Sequence, residues 1–342
     1  MSVPTAAHRQ TPSLLLEPVS KVPRPYHKTS LPPTLRLRRA VRHVINFLMR
    51  RAVIDIGTNT VKLLVAEVRN GQVTPLAAKD ATTRLGERVH ETQRLSPAAI
   101  SRTVKAIAGF VAEAQALGTA DITAITTSAV RDAMNRDDFL DAVRRQCGLA
   151  VQMVSGEREA ELIFRGVCSD PAWAGQPVLV IDVGGGSTEF IQGVDRRIER
   201  CRSLQLGAVR MTEQFGEARF TELCAFLRDT LRRELADYNL SDRRLIGTGG
   251  TMLTLAAVVA RASDSAVDHA TLTCDEARSV VERLRAIPLS ERQNIPGLPS
   301  ERADIIVAGG AVVVAAMEVL GAAEISVSMR SLRFGAMIEE KG

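Results

Sequence analysis

Pro177–Gly193 reads PVLVIDVGGGSTEFIQG. Val178–Ile181 is an apolar run of strand character, and Asp182 stands at its end. Gly184, Gly185 and Gly186 follow, then Ser187, Thr188 and Glu189 lead back into apolar sequence. A strand that runs into glycines lets backbone N–H groups come close to a ligand, because no Cβ stands between. Successive N–H groups in such a turn form an anion-binding nest. The flanking carboxylates do not bind phosphate directly; they suit Mg²⁺ or a water beside a phosphate. Read alone, the alternative is a tight hairpin with an Asp at its start.

The stretch has a counterpart. Ala52–Leu64, AVIDIGTNTVKLL, repeats the apolar–Ile–Asp–apolar–Gly pattern, and Asp182 follows Asp55 by 127 positions. That interval is too long for a solenoid repeat. It suits two copies of one domain facing each other across a cleft. A third glycine turn, IGTGGT at Ile246–Thr251, also follows an apolar run.

The two Asp–Gly turns and GTGGT resemble the phosphate and adenosine turns of the actin, sugar kinase and heat-shock chaperone superfamily. TRLGERV (Thr83–Val89), TSAVRDAMNRDDFL (Thr127–Leu140), SGEREAELIFRGV (Ser155–Val167), SLQLGAVRMTE (Ser203–Glu213) and ERADIIVAGG (Glu301–Gly310) narrow the likeness. Together, from Ala52 onward, the chain resembles the exopolyphosphatase and guanosine pentaphosphate phosphatase (Ppx/GppA) family. The resemblance implies an α/β protein of duplicated RNase H-like (actin-like ATPase) domains, each β-β-β-α-β-α, with an interdomain cleft. It implies Mg²⁺ or Mn²⁺, and polyphosphate or guanosine penta- or tetraphosphate as substrate.

Length and charge set the frame. A chain of 342 residues exceeds what a single core usually supports, so two domains are expected. Residues 1–50 hold nine Lys/Arg against one acid, net +8, so the remainder of a chain at +5 is −3. The basic pI belongs to this leader and gives no support for nucleic-acid binding by the body. The leader also holds half the prolines and reads as disordered. It lacks the apolar core of a signal peptide. Phosphate-polymer binding is one use for it; Met49 as the true start, with a dispensable leader, is the preferred reading. The domains are then 51–175 and 176–342. The five cysteines lie far apart without CxxC spacing, which favours reduced thiols and a cytoplasmic setting and disfavours a zinc site. The longest apolar run, Ile305–Met317, is too short to span a bilayer. A homodimer is one assembly the resemblance allows.

The first half reads as strands at Ala52–Ile56, Val61–Val68 and Val73–Lys79, the last two joined at Asn70-Gly71, a hairpin signal. Ser96-Pro97 opens a helix with its apolar stripe at Ile100, Val104, Ile107, Val111, Ala114 and Leu117. Strand Asp121–Thr127, a helix from Asn135, strand Leu149–Val154 and helix Gly156–Val167 follow. The second half opens with three strands to Leu204. Helices follow at Ala208–Phe215 and along Phe220–Leu235, then strand Arg244–Ile246 and helices Met252–Ala260, Asp275–Ala286 and Ala303–Leu320. Strand Glu324–Ser328 and helix Leu332–Glu340 close the chain.

Hydrolysis of a terminal phosphoanhydride needs cationic groups and N–H donors against phosphate charge, and a carboxylate for the water. Asp55 and Asp182 are the natural Mg²⁺ anchors; otherwise each caps its own turn. From the residues alone Glu157, Glu159 and Glu161 are equal candidates for the base. The resemblance selects Glu159, which precedes Ala160, and matches Glu189 to a second carboxylate serving the metal or the water. Phosphate donors are Gly57, Thr58, Asn59, Gly184, Gly185, Gly186 and Ser187, with Gly249 and Gly250 added. Arg84 and Arg131 match arginines near the phosphate cleft. Lys62 and Arg302 match positions for cations that meet nucleotide or polymer. Ser328–Gly335, SMRSLRFG, departs from the family's usual S-D-x-G-L-R-E-G, with Ser331 and Phe334 replacing Gly and Glu. The short C-terminal end matches a form without the helical domain of longer members. The expected activity is release of terminal phosphate from polyphosphate or pppGpp by a Glu-activated water. The rivals are a kinase of the same superfamily and a non-catalytic (p)ppGpp sensor.

Overall fold

The computed structural model describes residues 50–119 and 121–339. The leader and the Met49 start, as expectations, lie outside the described residues. Strands β1 (Arg50–Ile56), β2 (Thr60–Arg69) and β3 (Gln72–Thr82) form an antiparallel meander. Helix α1 (Pro97–Ala116) starts where the Ser96 hydroxyl accepts from Ala99 N–H. Strand β4 (Asp121–Thr126), helix α2 (Arg136–Cys147), strand β5 (Val151–Met153) and helix α3 (Gly156–Cys168) complete the first half. Its sheet order is β3-β2-β1-β4-β5, with β4 and β5 parallel to β1.

The second half repeats the plan with β6 (Pro177–Val183), β7 (Thr188–Val194) and β8 (Arg197–Leu204). Helices α4 (Ala208–Phe215) and α5 (Phe220–Glu234), strand β9 (Arg244–Thr248) and helix α6 (Gly249–Ala260) follow. Then come β10 (Thr271–Thr273), α7 (Cys274–Ala286), α8 (Ile306–Leu320), β11 (Glu324–Val327) and α9 (Leu332–Met337). The order is β10-β11-β9-β6-β7-β8. The mixed α/β architecture with two sheets is the one the sequence implied.

Details differ from the sequence reading. Strand β10 was not anticipated, since three residues carry too little periodicity to register. Helix α6 begins at Gly249 rather than Met252, so the glycines of GTGGT form its first turn. Helix α8 begins at Ile306, after a 3₁₀ turn at Ser300–Arg302. Helix α9 ends at Met337; Glu340 lies outside the described residues.

Period-two alternation divides each strand between two cores. Ala52, Ile54 and Ile56 face α1 and α2, while Val53 faces away from them. Leu179, Ile181 and Val183 face α5–α8, while Val178 and Val180 face away. The inward residues of both sheets share one core around Leu162 and Phe164 of α3 and Leu332 and Met337 of α9. Two helices are thus sandwiched between the sheets, and α9 packs on α3 and β1 although it closes the second half. Close crossing requires glycine. A Cβ on Gly335 would strike the Leu162 carbonyl, and one on Gly166 would strike that of Ser331. Each large apolar side chain fully buried there contributes about 1.5–3 kcal/mol.

Candidate functional site

The same alternation aims the polar residues. Asp55 shares the face of Val53, Lys62 that of Leu64, Asp182 that of Val180 and Glu189 that of Ile191; all four therefore face the space between the sheets. Where β1 and β6 run out, the apolar shared core ends and a polar cleft begins. It holds about 900 Å³ of non-protein space, part of it open to solvent.

The two turns at the strand ends are built alike. Gly57 N–H donates to Thr60 C=O at 3.1 Å, and Gly184 N–H donates to Ser187 C=O at 3.0 Å. Asp55 pairs with Lys62 across β1 and β2; Asp182 pairs with Glu189 across β6 and β7. The duplicated position therefore carries a cation in one half and a carboxylate in the other. The turns also meet. A Cβ on Gly186 would strike the Ser128 hydroxyl, and one on Gly185 would lie 2.9 Å from Thr58 Cβ.

Glu159 enters from α3. Ser155 caps that helix, accepting from Arg158 N–H at 3.1 Å, so the acidic first turn sits where the helix dipole favours it. Gly156 allows α3 to approach Ser203, whose hydroxyl donates to Glu189 Oε1 at 2.7 Å. Arg131 donates to Glu159 Oε2 at 3.3 Å and to Val154 C=O at 2.9 Å. Glu157, by contrast, is exposed.

Burial dominates the electrostatics. It pushes Asp55 up to about 6, against the pull of Lys62 and Arg333. It pushes Glu189 up to about 7, with the neighbouring Asp182 charge adding and the Ser203 and Ser187 hydroxyls opposing. Asp182 is raised by burial, partly offset by the Ser331 hydroxyl and Lys62. Glu159 is raised well above the ordinary carboxylate range by burial and by Glu189. Burial likewise draws Lys62 and Arg302 below their ordinary values.

Of the residues expected from sequence, Asp55, Gly57, Thr58, Asn59, Lys62, Glu159, Asp182, Gly184, Gly185, Gly186, Ser187, Glu189, Gly249, Gly250 and Arg302 all line this one cleft. The Arg302 guanidinium lies against Gly250, where any Cβ would collide with it. Arg84 and Arg131 do not line it. Arg84 forms a two-pronged pair with Asp304 at 2.6 and 3.0 Å and also donates to Glu301 C=O. Arg131 stands behind Glu159. The cleft also takes Thr127, Ser128, Met329, Ser331, Leu332 and Arg333. No role was read for these from sequence. TSAVR and SMRSLR were legible as motifs, but their side-chain directions depend on how β4 and α9 dock.

Asp55 and Asp182 offer hard oxygen ligands beside two N–H-rich turns. Mg²⁺ is commonly held by one or two carboxylates plus substrate phosphates rather than by a closed protein cage. The donor set fits such an ion, whose charge would offset the cost of crowding buried carboxylates. Among the described residues, the three metal-type side chains whose donor atoms lie within 4.8 Å of one another are Asp170, Asp268 and His269. They are outside this cleft. Asp170 there already pairs with His269 at 2.9 Å and Arg330 at 3.4 Å. Among the described residues no helix is long and apolar enough to cross a membrane.

Comparison with known proteins gives one answer. Exopolyphosphatase 1 of Mycobacterium leprae is 33% identical over 303 residues, covering 85% of this chain and 89% of that protein. A putative exopolyphosphatase of Haemophilus influenzae is 30% identical over 293 residues, covering 84% and 90%. The crystal structure of the Aquifex aeolicus Ppx/GppA family member superposes with a TM-score of 0.70 at 29% identity, covering 85% of this chain and 97% of that one. An exopolyphosphatase structure from Cytophaga hutchinsonii gives 0.78 at 26% identity, covering 84% and 96%. A sequence profile of the Ppx/GppA phosphatase family matches residues 64–341, and with the paired turns and the shared cleft this establishes that the chain belongs to that family.

Proposed function

We propose that this chain is a divalent-metal-dependent hydrolase that releases the terminal phosphate of inorganic polyphosphate. The observation that carries the reading is the convergence in one cleft of two phosphate-type turns with Asp55, Asp182, Glu159 and Glu189. The relatives named exopolyphosphatases support the substrate class. So does the lining: N–H groups, hydroxyls, Lys62, Arg302 and Arg333 are groups that meet phosphate oxygens.

Asp55 and Asp182, with Glu189 beside Asp182, would hold Mg²⁺ or Mn²⁺. Such an ion, when bound, neutralises phosphate charge and polarises the phosphoryl group. With the Gly57 and Gly184 N–H groups closing the turns, the N–H groups of Thr58, Asn59 and Gly185–Ser187 cradle the terminal phosphate and stabilise charge as the bridging bond breaks. Glu159 accepts the proton of the attacking water. Its Oε2 is held by Arg131, and burial raises its proton affinity above that of an ordinary carboxylate, the direction a general base needs. The Ser203 hydroxyl, donating to Glu189 Oε1, orients that carboxylate beside Asp182.

Phosphate release from short polyphosphate, long polyphosphate and pppGpp, measured side by side with Mg²⁺, tests the proposal. Polyphosphate turnover is expected. Glu159→Gln should lower kcat by about 10²–10⁴, and the exposed Glu157→Gln should leave it near wild type. Phosphate released only from pppGpp would move the substrate to the nucleotide. No release from any of the three overturns the reading.

A further inference from the structure

Ser331 sits at the N-cap of α9, where a serine side chain ordinarily accepts a hydrogen bond from an N–H of the first turn. It makes no such bond. Its hydroxyl instead donates to Asp182 Oδ2 at 2.6 Å. The backbone of the same residue is fixed from several sides. Its carbonyl accepts from Phe334 N–H at 3.0 Å and lies against Gly166. The far end of α9 is tied down as well: Arg51 donates to the Met337 and Glu339 carbonyls, and Arg158 and Arg165 hold the Glu339 carboxylate. The other oxygen of Asp182 is restrained too. Oδ1 lies directly against Gly249, at a φ of +83° where any Cβ would collide with it.

We propose that Ser331 is a positioning residue that fixes the Asp182 carboxylate and thereby sets the affinity of the cleft for a divalent cation. The inference rests on the metal reading of Asp182 given above. The glycine usual at this position of the family's motif has no hydroxyl to give, whereas this chain carries Ser331. Forgoing the cap makes sense on these terms. A hydroxyl donated to a metal-ligating carboxylate leaves one oxygen free in a set orientation, and outer-sphere bonds of this kind typically change metal affinity about 10–100-fold when lost. The cap is expendable, because α9 is held by its packing on α3 and by the ties at its far end.

The test is Mn²⁺ binding, by calorimetry and electron paramagnetic resonance, to the full chain and to Ser331→Ala, Ser331→Gly, Ser331→Thr and Asp182→Asn. Asp182→Asn should abolish the site. Ser331→Ala and Ser331→Gly should each weaken Mn²⁺ about tenfold or more with an unchanged circular dichroism spectrum. Ser331→Thr, which keeps a hydroxyl, should restore affinity. If Ser331→Ala does not fold, Ser331→Gly supplies the same comparison without a side chain to seat. Wild-type affinity in Ser331→Ala or Ser331→Gly, with binding lost in Asp182→Asn, overturns the Ser331 role and leaves the metal reading standing. Equal weakening in all three Ser331 variants also overturns it, because the hydroxyl is then irrelevant. Unchanged binding in Asp182→Asn overturns both.

Discussion

Arg131 braces Glu159 from behind: its Nη1 lies 3.3 Å from Oε2 and 2.9 Å from the Val154 carbonyl, and it does not line the cleft. Its Nη1 is therefore engaged in orienting a carboxylate. Arg131→Met should lower kcat on short polyphosphate by about 10–100-fold, the scale of a misplaced catalytic group, with little change in KM. A rise in KM at constant kcat would show instead that Arg131 binds substrate.

Proton linkage gives a second expectation. Asp55 is pushed up to about 6 and Glu189 to about 7 by burial, above the ordinary range of an unfolded chain. Between about pH 4 and 7 the metal-free folded state therefore binds more protons than the unfolded state, and stability falls as pH rises through that window. With EDTA present, the Tm of wild type should drop relative to that of Asp55→Asn as pH rises from about 4 to 6, the window set by Asp55 alone. Mg²⁺ binds the deprotonated carboxylates, so it should raise Tm more at pH 8 than at pH 5. A metal-free wild type that gains on Asp55→Asn with rising pH would contradict the assignment.

Two glycines should respond in opposite directions. A Cβ on Gly335 would strike the Leu162 carbonyl where α9 crosses α3, so Gly335→Ala should destabilise by about 1–3 kcal/mol. Gly109 lies within α1 with nothing in reach of an added Cβ, and Gly109→Ala should stabilise by roughly 0.5–1 kcal/mol. Urea unfolding of both variants reads these differences directly.

Arg292 is fully buried and donates to Glu217 at 2.5 and 3.1 Å and to the Ile287 and Ala303 carbonyls. It ties the 287–303 segment to the end of α4. Glu217 is half-exposed, so Glu217→Ala should cost about 1.5–3 kcal/mol, the loss of charged hydrogen bonds rather than of a fully buried pair. Because Arg302 lies in the same segment, limited proteolysis should cut there faster in the variant. An unchanged Tm and cleavage pattern would dismiss this tie.

The two Asp–Gly turns were readable from sequence because their chemistry is local. An apolar run, an Asp and glycines specify a strand end and an N–H-rich turn wherever the chain goes, and the 127-residue interval between Asp55 and Asp182 announced duplication. Alternation within β1, β2, β6 and β7 then decided which side chains share a face. What sequence left open depended on docking. Arg84 and Arg131 carry a motif suited to phosphate, yet Asp304, 220 positions away, and Glu159 claim them. Ser331 looked like a departure from a pattern, and its hydroxyl is assigned only by the crossing of α9 over α3, which carries it to Asp182 149 positions earlier. The choice among Glu157, Glu159 and Glu161 likewise needed the family's motif, and burial of Glu159 beside Glu189 became visible only once α3 lay between the sheets. Local sequence dictates turns and alternation because these involve neighbours along the chain. The partner of a long charged side chain is set by packing between distant segments, which no local pattern encodes.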